Sequence, residues 1–135
     1  MHIPSADTAS LPILSFDEAL RQSGPAAYDR SRWLYVPDFY TEYRYVLGTK
    51  GAHPVICMGI NPSTAEPDRL DPTLQSVSRV SRFNGFDSFL MFNVYAQRAT
   101  RPDDMDPVRK ALRFSACRRA LGTRSMSSGR VARWA

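Results

Sequence analysis

Val55-Ile56-Cys57-Met58-Gly59-Ile60-Asn61-Pro62-Ser63-Thr64-Ala65 joins an unbroken apolar run to a polar turn. A run of that length without alternation suits a strand covered on both faces, as inside a parallel sheet. It predicts a strand over 54–59, opened by His53-Pro54, at the centre of the sheet. The loop beyond it has the composition of a functional loop. Gly59 allows close backbone approach, Asn61-Pro62 signals a turn, and Ser63 and Thr64 offer hydroxyls and N–H groups. Polar turns of this kind also occur without any function, so the meaning of the loop depends on what faces it.

Downstream, Asp71-Pro72-Thr73 has an N-cap residue followed by proline at the first helical position, and Asn84-Gly85 is a stop signal. A helix over 72–84 follows, with Leu74, Val77, Val80 and Phe83 as a narrow buried stripe and Arg79 and Arg82 facing outward or toward a ligand. Ser88-Phe89-Leu90-Met91-Phe92-Asn93-Val94-Tyr95 is a second apolar run of strand length. Strand, helix, strand implies a right-handed parallel crossover. Ligands bind at the carboxyl edge of such sheets, so Asn61 and Ser63 from one loop and Asn93, Arg98 and Thr100 from the other should converge on one crevice. Gly59, Ile60 and Thr64 complete the candidate ligand-binding set.

Upstream, Ser15-Phe16-Asp17-Glu18 is a capping-box pattern and Gly24-Pro25 a stop, which predicts a short helix over 16–23. Trp33-Leu34-Tyr35-Val36 and Tyr43-Arg44-Tyr45-Val46-Leu47 read as a pair of strands. Tyr43, Tyr45 and Leu47 would share one face and pack against the core. The fold class is therefore α/β: an open, parallel-type sheet flanked by helices, with an N-terminal strand pair.

The 135 residues fit one domain, and 43% hydrophobic content suits a folded chain. No apolar run approaches the ~20 residues of a membrane helix and no signal peptide is evident, so a cytoplasmic location without membrane contact is expected. Cys57 and Cys117 read as free thiols. Two histidines, His2 and His53, and no Cys-x-x-Cys spacing argue against a metal site, and no cofactor is implied. Ser63 lacks the glycines and histidine of a serine nucleophile, and no Gly-x-Gly-x-x-Gly follows a strand. Oligomeric state leaves no trace in the sequence.

Charge is unevenly distributed. Residues 1–106 hold ten basic and thirteen acidic side chains, whereas 107–135 hold eight basic and no acidic ones, which accounts for the overall +5. That tail could grip phosphates, or be a solvated basic face or an atypical terminus.

Gly59-Ile60-Asn61-Pro62-Ser63-Thr64-Ala65, Asp71-Pro72-Thr73 and Asn93-Val94-Tyr95-Ala96-Gln97-Arg98-Ala99-Thr100 together resemble the bacterial family catalogued as domain of unknown function 1643. The resemblance extends over about 32–105. It divides the chain into an N-terminal extension with a short helix (1–30), an α/β core (31–106) and a basic atypical segment (107–135). Gly59-Ile60-Asn61-Pro62 is also similar to the first motif of the mismatch-specific and thymine-DNA glycosylase branch of the uracil-DNA glycosylase superfamily. That likeness implies a uracil-DNA-glycosylase-like sheet and gives Asn61 the catalytic role of positioning the attacking water. The glycine that follows the proline in that branch is Ser63 here. The superfamily's second catalytic motif and the unknown family's His-Pro motif would both fall beyond Ala135, which reads as a chain truncated or frame-shifted at its C-terminus.

Two functions compete. One is a metal-independent nucleobase-directed hydrolase, or an impaired relative, with Asn61 orienting water, Ser63 and Thr64 holding a base or phosphate, and Arg98 neutralising an anion. The other is a non-catalytic module that binds a nucleic acid, nucleotide or other ligand in the same crevice. A third reading is an incomplete, inactive domain with an unpaired sheet edge.

Overall fold

The computed structural model of the chain describes residues 3, 14, 16–22, 24–25, 27–39 and 42–106. Their elements are helix α1 (Phe16–Arg21), strands β1 (Trp33–Val36), β2 (Val46–Thr49) and β3 (Pro54–Gly59), helix α2 (Pro72–Phe83), strand β4 (Ser88–Asn93) and a 3-10 turn at Pro102–Asp104. The basic segment over 107–135, including Cys117 and the expected truncation, lies outside the described residues, as does Ser15.

The fold is α/β with an open four-stranded sheet, ordered β1-β2-β4-β3. The sheet is mixed rather than parallel throughout. β1 pairs antiparallel with β2, β2 antiparallel with β4, and β3 parallel with β4 through the α2 crossover. The central place expected for β3 therefore belongs to β2 and β4, and β3 ends the order among the described residues. Its apolar run reflects cover over only part of its length, since Met58 is 58% exposed.

Side-chain alternation splits the core between the two faces of the sheet. Val55, Cys57, Phe89, Met91 and Leu47 meet Leu74 of α2 on one face. Val36, Val46 and Phe92 meet Ala19 of α1 on the other, with Ile56 and Leu90 packed against them. The expected common face for Tyr43, Tyr45 and Leu47 is not kept. β2 starts at Val46, so Tyr45 precedes the strand and joins the α1 face, where its hydroxyl donates to Leu14 O at 2.7 Å, while Leu47 turns to the α2 face. All three are nonetheless buried, which is the packing role expected of them.

α2 begins and ends where its local signals place it. Asp71 Oδ1 accepts from Leu74 N at 2.9 Å, Pro72 opens the helix, and Asn84 and Gly85 (φ 78°) close it. The expected stripe fails for a geometric reason. A three-residue step advances about 300° around a helix, so successive members fall about 60° behind one another. Leu74 is buried at 1% exposure, Val77 is half-buried, and Phe83, half a turn round from Leu74, is 92% exposed. The buried partner one heptad after Leu74 is Ser81, whose hydroxyl donates to Ser88 O at 2.9 Å and ties helix to strand. Arg79 and Arg82 lie on the outer face, bonded to Ser76 and Ser78 of their own helix.

The turn after β1 is organised by Asp38. Its Oδ1 accepts from Gly24 N at 2.8 Å and its Oδ2 from the Tyr28 hydroxyl at 2.9 Å and Arg30 Nη2 at 2.7 Å. No helix of the described residues is long and apolar enough to cross a membrane.

Candidate functional site

The last pair in the parallel register of β3 and β4 is Gly59 with Asn93, which puts both loops side by side at the carboxyl edge of the sheet. Pairing continues past the strands. Val94 N donates to Gly59 O (2.9 Å), Tyr95 N to Ile60 O (2.8 Å) and Ala99 N to Pro62 O (2.9 Å). On the other side of the same segment, Arg44 N donates to Ala96 O and Arg98 N to Glu42 O, each at 2.8 Å, around a Tyr43–Gln97 bridge. Residues 96–99 are thus held between 42–44 and 60–63. Backbone bonds made on both sides fix the position of each loop without help from regular strand structure.

A crevice of about 520 Å³ opens above this junction, bounded by the β3 loop, the β4 end, Arg44 and the first turn of α2. Gly59, Ile60, Asn61, Ser63, Thr64, Asn93 and Thr100 all line it. Asn61 spends its amide donors on structure, Nδ2 donating to Ala99 O at 2.6 Å and to Pro62 O at 3.2 Å. That leaves Oδ1 as its remaining acceptor. Ser63 Oγ donates to Thr100 Oγ1 at 3.5 Å across the mouth, while Ile60 and Thr64 stand exposed at the rim.

Arg98 is not among the lining residues. It is buried beneath the loop, with Nε donating to Ser63 O at 2.8 Å, Nη1 to the Tyr35 hydroxyl at 3.2 Å, and an ion pair to Glu66 at 3.4 Å. Burial pushes the Tyr35 hydroxyl up and the Arg98 charge opposes that rise.

Asn93 carries the opposite kind of signal. It is 5% exposed, and its Oδ1 is buried with no hydrogen-bond partner among the described residues. Leaving such an acceptor unpaired costs about 1–3 kcal/mol. Gly59 makes the room for this amide, because a Cβ there would stand 2.8 Å from Asn93 Nδ2.

The basic group in the wall is Arg44, which the motif reading passed over. Its side chain is fully buried, Nη1 donates to Ala65 O at 2.6 Å, and Nε has no partner among the described residues. Burial, reinforced by the Arg98 charge, lowers its pKa to about 10. Flanked by Tyr43 and Tyr45, both buried like itself, Arg44 carries no sign in the sequence that it lines a crevice.

Cys57 is free and buried, and burial pushes its thiol up, which disfavours the reactive thiolate. Among the described residues, no group of three or more His, Cys, Asp or Glu is placed to hold a metal ion.

A family model described as "Protein of unknown function (DUF1643)" matches residues 44–131, almost two-thirds of the chain, and takes in both loops and α2. No curated protein and no solved structure matches.

Proposed function

We propose that this chain, which belongs to the DUF1643 family, binds a nucleobase or nucleotide in the crevice at the carboxyl edge of β3 and β4, with Asn93 as the group that reads it. The observation that carries this reading is the unpaired, buried Oδ1 of Asn93 in the wall of a crevice of about 520 Å³. A carboxamide presents a donor and an acceptor side by side, which complements the N–H and C=O groups on the edge of a base. The volume falls in the range of about 300–1,000 Å³ usual for small-molecule sites. Ile60 offers an apolar rim for a ring face, and Ser63, Thr64 and Thr100 offer hydroxyls for a sugar.

Equilibrium titration of the chain with the common nucleosides and their 5′-monophosphates tests this. At least one should bind, and Asn93→Leu, which keeps the side-chain size, should weaken it by about tenfold, the cost of one hydrogen bond to a buried group. Absence of binding by every one of these compounds would refute the reading.

Hydrolysis of an N-glycosidic bond is the second reading, favoured by Asn61 Oδ1 being the acceptor left over on a side chain whose other end is fixed. Asn61 would position a water without deprotonating it, since asparagine does not titrate. Incubation with uracil- and mismatch-containing DNA should then give abasic product above an Asn61→Ala control. Equal signals from the two would leave binding as the function.

A further inference from the structure

We infer that the crevice takes its ligand as a phosphate ester, the phosphate seated between Arg44 and the N-terminus of α2 and the base end lying toward Asn93. This rests on the crevice being the nucleobase or nucleotide site, and it specifies the chemical form of that ligand.

Two independent features of the same wall attract an anion. The first is Arg44, 2% exposed, whose only side-chain bond among the described residues is to a neutral carbonyl, that of Ala65. It makes no ion pair among the described residues, and its Nε is unpartnered. The nearby carboxylates are otherwise engaged: Glu66 pairs with Arg98 at 3.4 Å, and Asp71 caps α2 through Leu74 N at 2.9 Å. Asp71 and Glu66 lie near enough to favour the Arg44 charge without pairing with it, and a ligand that brings negative charge into direct contact offsets more of the cost of burying the guanidinium. Arg98 adds to the local positive charge, which accounts for part of the lowering of the Arg44 pKa.

The second feature is the first turn of α2, a twelve-residue helix whose Asp71, Pro72, Thr73 and Leu74 all line the crevice. Leu74 N–H is taken by the cap, Gln75 N–H by Asp71 O, and proline has none. Thr73 N–H is left without a partner among the described residues, at the positive end of the helix dipole. A phosphate has oxygens in several directions, so one can accept from Arg44 Nε while another accepts from the helix end. The enclosed position of Arg44 suits a single phosphate better than a continuous nucleic-acid backbone, which needs an open track of exposed cations.

The test compares, on the full 135-residue chain, binding of each common nucleoside, its 5′-monophosphate, inorganic phosphate and a single-stranded oligonucleotide. A monophosphate should bind about tenfold or more tightly than its nucleoside, a gain typical of charge-assisted hydrogen bonds. Inorganic phosphate should compete with it, and Arg44→Met should erase the difference between monophosphate and nucleoside. Phosphate competition on the unaltered chain decides the matter should Arg44→Met fail to fold. Equal binding of nucleoside and monophosphate would overturn the inference while leaving nucleobase binding intact. Binding of the oligonucleotide alone would also overturn it, and absence of all binding would remove both readings.

Discussion

Gly59 and Asn93 face each other at the carboxyl ends of β3 and β4 so closely that a Cβ on the glycine would lie 2.8 Å from Asn93 Nδ2 and 3.2 Å from Met91 Cε. The glycine thus sets where the Asn93 amide sits. Gly59→Ala should push that amide aside, lower ligand affinity by about tenfold, and cost about 1–3 kcal/mol of stability through overpacking. Titration and urea unfolding of the same variant measure the two effects. Unchanged affinity would show that Asn93 has room to spare.

Asn61 and Ala99 form the shortest side-chain link between the two loops, at 2.6 Å. Asn61→Ala should destabilise the chain by about 1 kcal/mol, the usual worth of such a bond. Asn61→Asp should cost more, because a carboxylate would face the Ala99 carbonyl with no hydrogen between them. Chemical denaturation orders the three proteins; if the aspartate variant were the more stable of the two, the link would not be contributing as its geometry implies.

On α2, burial divides two positions that the apolar pattern treats alike. Leu74→Ala should cost about 2–5 kcal/mol, as for other buried leucines. Phe83→Ser should fall within about 0.5 kcal/mol of the parent, as for other exposed sites. Thermal unfolding of both distinguishes a core residue from an exposed one.

Asp38 should make the fold sensitive to acid. Burial by itself pushes its carboxyl up, but bonds from Gly24 N–H, the Tyr28 hydroxyl and Arg30 outweigh that and hold it below the usual carboxylate range. Its contribution is therefore complete above the unfolded pKa of about 4 and is lost as pH falls through the lower folded value. Asp38→Asn should be less stable than the parent at pH 7, and the gap should narrow toward pH 3. A gap that is constant across that range in urea midpoints would contradict the assignment.

Local signals described the ends of α2 accurately, since a cap, a proline and an Asn-Gly stop act over three or four residues. The parallel crossover and the facing loops were legible for a similar reason: length and order of the apolar runs leave few topologies. The place of β3 in the sheet was not, because an apolar run reports cover without naming the neighbour. The stripe on α2 failed because spacing by three alone does not follow a helix face. Arg98 and Arg44 show the limit for the site. Both are arginines beside crevice segments, and only tertiary packing turns Arg98 under the loop and Arg44 into the wall. In the sequence the polar loop motif drew attention to the first, while two tyrosines concealed the second.

The position of residues 96–99 between 42–44 and 60–63 has a consequence for the order of folding. Its bonds join partners more than thirty or fifty residues apart, Pro62 to Ala99 and Glu42 to Arg98. Closing such loops is entropically expensive and slow relative to forming a helix. The crevice wall should therefore assemble after α2, in a concerted step with the β3–β4 pair, whose partners are separated by a similar length of chain. Amide exchange should reflect this: Arg44, Arg98 and Ala99 would open together, as one unit, so that a ligand held there reports on the completion of the whole fold.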